Sequence, residues 1–442
     1  MKHKLWTIFF IFFFSFHLFA QHEHETPPPK VKIDPHAGHQ MEDMDHSNPV
    51  SDFFMKQAAG TALNPASVAM QMSMKKYGDW VFMMHGYAFL NAIQQSGPRG
   101  DDDLFSTNHL MLIGERPLNS TSSLLMRAML SFEPGTMQDG MYPLLFQTGE
   151  TADGLPIIDG QHPHDLFMEL SAQYAVQVRP DLLVHVYGGL RGDPALGPVA
   201  FPHRVSAQEL PQAALSHHLQ DSTHIADMVV TGGLQYKKFH VELSGFHGAE
   251  PDEHRWDLDP GAIDSWSTRF TYDPSQDWTA QISTGRLKEP EELEPGDIHR
   301  TTASVTHHRP MPDGFVSSSF VWGWNHKILD DLNVHSYLLE TLWKFRDVHY
   351  ATARMEIVDK EELFGHGADH REAEDIADKV FNIKAFTFGY ARDFHLFPKL
   401  QTGLGANVTF YGTPSELDPF YGENPKGFFV YFRIRGGNHG QH

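Results

Sequence analysis

Beyond Tyr77 one pattern recurs along the chain: segments of roughly ten residues in which apolar and polar side chains alternate with period two. A strand turns successive side chains to opposite faces, so each such segment offers one greasy face and one wet face. From 166 to 178, Leu166, Met168, Leu170, Ala172, Tyr174, Val176 and Val178 share one side, against Phe167, Glu169, Ser171, Gln173, Ala175 and Gln177. Leu124, Met126, Ala128, Leu130 and Phe132 alternate likewise with Leu125, Arg127, Met129, Ser131 and Glu133, and Ala351, Ala353, Met355 and Ile357 with Tyr350, Thr352, Arg354 and Glu356. About 16 strands are expected, the first at 80–92 and the last at 426–435. Short connectors (PLNST, RPD, KK, DPSQ, RPMPDG, FRD, HLFPK) alternate with long ones at 134–164, 192–223, 249–262 and 359–378. The expectation is an all-β, antiparallel transmembrane β-barrel with short periplasmic turns and long external loops. Trp80, Trp278, Trp322, Trp324 and Trp343, near strand ends, suit interfacial girdles.

The start of the chain agrees with export. Lys2 and Lys4 precede an apolar run from Trp6 to Phe14, and Leu18-Phe19-Ala20 stands before Gln21 like a cleavage site, so 1–20 reads as a signal peptide. Residues 21–77 read as a disordered, His- and Met-rich periplasmic arm, with three consecutive prolines and too few large aliphatics to fold alone. The barrel is expected over 78–436 and a short tail over 437–442. The outer membrane of a Gram-negative bacterium is the expected location, with its lipid as a partner.

With no Cys among 442 residues, disulfide scaffolds, thiolate metal sites and cysteine nucleophiles are excluded. A formal net charge of -22 argues against nucleic acid. Thirty His and eighteen Met remain as soft or borderline donors. In the arm, His36, His39, Met41, Met44 and His46 interleave imidazole for Cu²⁺ with thioether for Cu⁺. A second Met group, Met70, Met72 and Met74, stands just before the first strand. In the long connectors, His162, His164, Asp165, His203, His217, His218, His224, His247, Glu250, Asp252 and His254 form the imidazole and carboxylate set that suits Zn²⁺, Cu²⁺ or Ni²⁺. The competing reading has these residues hydrogen-bonding loop backbone and plugging the lumen. His85 and the His307/His308 pair read as ordinary lumen or interface residues.

The stretches GETADGLPIIDGQHPHDLFMEL, GDPALGPVAFPHR, QDSTHI, EPDEHRW, RTTASV and NVTFYGTPSELDPFYGENPKGFFVYFRIR resemble a poorly characterised group of Gram-negative outer-membrane barrel proteins, from about Gly60 to Arg435. The group has no settled activity, so the likeness implies fold and location. HAGHQMEDMDH alone resembles the exported arms of copper-resistance outer-membrane proteins. The GGNHGQH tail departs from barrels that end on an aromatic residue.

The main functional expectation is transition-metal handling, with copper first and zinc next, by exchangeable His, Met and carboxylate coordination. The first alternative is a general porin or solute channel whose loop histidines are structural, with small solutes as partners. The second is an outer-membrane hydrolase. No GxSxG elbow or nucleotide-binding glycine loop occurs, and Asp221, Ser222 and His224 are sequence neighbours, which rarely form a triad, so no covalent chemistry is required.

Overall fold

The computed structural model describes residues 48–137, 139–365, 373–397 and 400–436. The proposed signal peptide, the arm through residue 47 and the tail lie outside them. Strand β1 (Ser73–Tyr77) leads into β2 (Trp80–Gln95), β3 (Asp102–Asn119) and β4 (Ser122–Leu130). A separate hairpin follows, β5 (Tyr142–Ala152) with β6 (Leu155–Gln161). The wall resumes with β7 (Phe167–Arg179), β8 (Leu182–Gly192), β9 (Ala226–Tyr236), β10 (Phe239–Phe246), β11 (Ser265–Ser275) and β12 (Trp278–Leu287). It continues through β13 (Ile298–Met311), β14 (Gly314–Lys327), β15 (Leu332–Phe345) and β16 (His349–Lys360), and ends with β17 (Phe381–Phe397), β18 (Leu400–Gly412) and β19 (Lys426–Gly436).

Every wall strand is antiparallel to both neighbours, and β19 pairs with β2 from Gly436↔Gly86 to Gly427↔Gln95, which closes a ring of sixteen strands. Closure leaves no open strand edge in the ring, the condition for sheet structure in lipid. β1 stands outside the ring count. It pairs only with the start of β2, from Tyr77↔Trp80 to Ser73↔Met84, where β19 no longer reaches.

The alternation read from the sequence sets which face meets lipid. Met126, Tyr174, Leu234, Leu243, Phe270, Ile282, Phe320, Leu339, Met355, Phe388 and Leu404 point outward and are exposed. Their inward neighbours are buried and polar or charged, among them Arg127, Glu169, His185, Glu242, Arg269, Arg300, Glu340, Arg354 and Arg433. An apolar exterior around a closed ring is a lipid-facing belt. Trp80, Trp278 and Trp343 lie at the short-turn rim, and Trp266, Trp322 and Trp324 towards the other. Met168 departs from its expected outward row: the pairing slips between Met129↔Glu169 and Leu130↔Phe167, and this bulge turns its side chain into the core.

Two further differences concern what fills the ring. Residues 48–77, expected to be disordered, are folded into the short-turn mouth. Asn48 caps helix α1 (Pro49–Phe54) by accepting from Val50 N at 3.0 Å, and its amide donates to Ser123 Oγ at 3.1 Å. Val50, Phe53, Phe54, Ala59 and Leu63 then pack on Met83, Met111, Ile113 and Leu125 of the inner wall. The segment crosses to the far side of the same mouth, where Ser67 N donates to Gln276 O at 2.8 Å and Ser67 Oγ to His308 O at 2.9 Å. Met70, Met72 and Met74 belong to this apolar cluster. Alone the segment has too little apolar surface to fold, but the barrel supplies the other half of its core. The second difference is hairpin β5–β6, which lies in a connection expected to be irregular. Its strands are largely buried on both faces, which removes the period-two signal.

Candidate functional site

The long connection 193–225 between β8 and β9 dips into the lumen, and almost all of it is buried. A charged network pins it to the wall. Arg204 Nη1 donates to Asp221 Oδ2 at 3.0 Å and its Nε to Glu340 Oε1 at 2.5 Å, while Arg354 Nε holds the other oxygen of Glu340 at 3.0 Å. Arg300 donates to Ser222 Oγ and to the His218 carbonyl, both at 2.8 Å. These anchors present helix α2 (His217–Gln220) to the end of hairpin β5–β6.

At that junction five of the expected histidines meet. Ring centroids are 5.4 Å apart for His164/His224, His224/His217 and His218/His162, and 5.1 Å for His217/His218. Phe201 covers the row, 5.0 Å from His217. His162, His217 and His218 each bring a ring nitrogen within 4.8 Å of the other two. His162 Nδ1 donates to Pro163 O at 3.1 Å and His217 Nδ1 to Asp221 Oδ1 at 2.7 Å, which leaves each Nε2 as the acceptor. Among the described residues, neither ring nitrogen of His218 has a hydrogen-bond partner. Gly149, at φ +126°, makes room for that ring, since a Cβ there would sit 2.5 Å from His218 Nδ1.

Carboxylates close the other side. Glu150 Oε1 is 3.0 Å from His162 Nε2, and His218, Glu250 and Glu291 form a second group within 4.8 Å. Burial and mutual repulsion push Glu250 up to about 7 and Glu291 up to about 8. Burial also pushes Glu150 up to about 7, against the opposing pull of Arg255. Burial lowers His162, His217 and His218, so these imidazoles are neutral. Burial likewise holds His224 down at about 3. Burial acts against the charge on Asp221, yet His217 and Arg204 keep it well below the usual carboxylate range. For His164 burial is outweighed by the Glu133 carboxylate, 2.9 Å from Nδ1, and its pKa is raised.

The remaining expected residues are elsewhere. Asp165 lies between Arg191 at 3.1 Å and Arg255 at 3.5 Å. His203 stacks 4.9 Å from His109, which continues to His85 at 5.7 Å. His247 Nδ1 donates to Ala262 O at 2.9 Å, away from the row, and His254 is exposed beside Asp252. His36, His39, Met41, Met44 and His46 lie outside the described residues. The hydrolytic trio does not assemble: Arg300 holds Ser222 Oγ, and His224 Nδ1 bonds the Asp221 carbonyl.

Sequence reasoning missed a second imidazole group on the wall itself. His185 Nε2 lies 2.7 Å from His240 Nε2, with Glu242 beside both and Phe53 of α1 stacked 5.2 Å from His185. His240 and Glu242 sit two apart in β10, both inward, and that spacing was the available signal.

Neither a family model nor a curated protein matches the sequence, so the motif resemblances gain no support beyond architecture. The fold does match solved structures. Salmonella typhi OmpF in complex with daunomycin aligns with a TM-score of 0.51 at 8% identity, over 82% of this chain and 100% of that one. An anion-selective porin from Comamonas acidovorans aligns at 0.48 and 12% identity, over 80% and 99% of the two chains. The first likeness shows the fold, a closed antiparallel β-barrel. With the lipid-facing belt, the fold places the chain in the outer membrane.

Proposed function

We propose that the chain forms an outer-membrane conduit for small solutes or ions, shut in this conformation by its own connections. One observation carries this reading: a sixteen-stranded circumference, wide enough in other barrels for an aqueous channel, has a polar and charged inner wall and is filled by chain segments. The two fillings meet at Ala62, Leu63 and Pro198, leaving a void of about 10 Å³, room for about one water. Planar-bilayer conductance of the full chain and of Arg204→Ala tests the reading. Rare, low conductance from the parent and frequent openings from the variant are expected. Silence from both, with the barrels folded, sinks it.

A second reading, transition-metal handling with copper as the first candidate, is favoured by the convergence of neutral imidazoles at the long-loop mouth. Its arm component is tested by titrating Cu²⁺ into the full chain and into one with His36, His39, Met41, Met44 and His46 replaced by Ala. Equal binding removes the arm from the account.

A further inference from the structure

Four separate connections converge on the imidazole group. His162 follows hairpin β5–β6, His217 and His218 belong to α2, Glu250 lies in the β10–β11 connection and Glu291 in the β12–β13 connection. Helix geometry does not force this meeting, because His217 and His218 are successive residues and the others are far apart in the chain.

The polar accounting of the group is incomplete. A buried imidazole normally satisfies both nitrogens. His218 is 7% exposed and, among the described residues, satisfies neither, while the carboxylates of Glu250 and Glu291 stand beside it. His162 and His217, by contrast, hold Nδ1–H on a carbonyl or carboxylate, as metal-ligating imidazoles do, which leaves Nε2 as the acceptor; in His162 it faces Glu150 Oε1 at 3.0 Å. Asp221 is itself fixed by Arg204, so the His217 ring is held from two bonds away. The nearby cations serve other partners: Arg255 pairs with Glu150, Arg300 with Ser222 and the His218 carbonyl, and Lys360 with Gln147.

We propose that His162, His217 and His218 bind one divalent first-row transition ion of the Zn²⁺ type, with Glu250 as the fourth ligand, and that the ion staples the external connections over the lumen. Three imidazoles and a carboxylate make a neutral-nitrogen, hard-oxygen set that favours four-coordinate Zn²⁺ over Ca²⁺ or Mg²⁺. Bonds of about 2.0–2.1 Å put tetrahedral ligands about 3.4 Å apart. Loading therefore draws the three imidazoles together from their present spacing of up to 4.8 Å and brings in Glu250, whose carboxylate is 4.0 Å from His218 Nδ1. The ion's charge would also relieve the crowding of Glu150, Glu250 and Glu291. The site takes only its ion class from the metal-handling reading and does not depend on the arm or on conductance.

The test uses the full chain with His36, His39, Met41, Met44 and His46 replaced by Ala, folded in detergent and titrated with Co²⁺, whose visible bands report coordination. One saturable equivalent with a four-coordinate spectrum, displaced by Zn²⁺, is expected. His217→Ala and His218→Ala should each weaken binding by about 100-fold or more, beyond the 10–100-fold typical of outer-shell changes. His254→Ala, at an exposed position, should leave it unchanged. Heat-modifiable migration on gels verifies that each variant remains a barrel. A parent chain with no saturable four-coordinate signal overturns the proposal whether or not the variants fold. Unchanged affinity in folded His218→Ala overturns it equally. Because the arm ligands are already absent, failure here leaves the copper reading of the arm to its own titration.

Discussion

The two mouths of this barrel are closed by different physics. At the short-turn end, residues 48–72 bury Val50, Phe53, Phe54 and Leu63 against Met111, Ile113 and Leu125, a small hydrophobic core with one half borrowed from the wall. At the other end, 193–225 and hairpin β5–β6 are held by Arg204, Asp221, Glu340, Arg300 and a row of histidines. Apolar burial responds little to protons or metal ions. A seal made of titratable groups is conditional on both. One plug is therefore a fixed part of the fold, and the other is the part that solution conditions address.

The largest expected effect comes from Arg204→Ala. It leaves Asp221 and Glu340 buried with one partner fewer, at a cost of about 3–5 kcal/mol. Fast proteolytic cleavage within 193–225, with the short-turn mouth still protected, would sharpen the contrast between the seals. Equal loss at both mouths would break it. Next is Phe54→Ala, at about 3 kcal/mol for a truncated buried Phe. Its destabilisation should be the same at pH 8 and pH 5, measured by protease protection of 48–72.

Acid gives a smaller, signed effect at the long-loop mouth. His162, His217, His218 and His224 have lowered values in the folded state, so their stabilisation is full above about 6.5 and is lost as pH falls below it. Glu150, Glu250 and Glu291 are raised and act oppositely, strengthening closure as pH falls from about 8 to about 4.5. The His164–Glu133 pair adds to that side, since His164 is raised. Loop protection should thus peak near neutrality and fall steeply below about pH 4.5, where the glutamates no longer gain protons and the histidines still do. Flat protection across that range would refute the assignment of neutral histidines. Asn48→Ala is the smallest change: losing the cap of α1 costs about 1 kcal/mol, read as fraying of the short-turn seal without a change at the other mouth.

The wall was legible in the sequence because each strand repeats a local rule that lipid on one side and polar filling on the other impose. Sixteen segments, their short turns and their outward rows follow from it. The fillings obey no such rule. Residues 48–72 look polar and irregular until the barrel's inner face is supplied as their partner. Hairpin β5–β6, buried on both faces, has no alternation to detect. The individual histidines were visible as candidates, but their grouping depends on four connections meeting in space. Thus His162, His217 and His218 came together, with Glu250 joined through His218, while Asp165, His247 and His254 did not. His185 and His240 were hidden for the opposite reason: inward positions on a wall strand look like any other polar lining.

The ribbon formed by β1 and the first residues of β2 joins the fixed plug to the ring's seam, just below the point where β19 takes over as partner. A displacement of residues 48–72 is therefore delivered to the junction of the first and last wall strands. During biogenesis the same ribbon would dock the plug at the one place where the cylinder zips shut, so that stoppering the short-turn mouth and completing the circle become a single event.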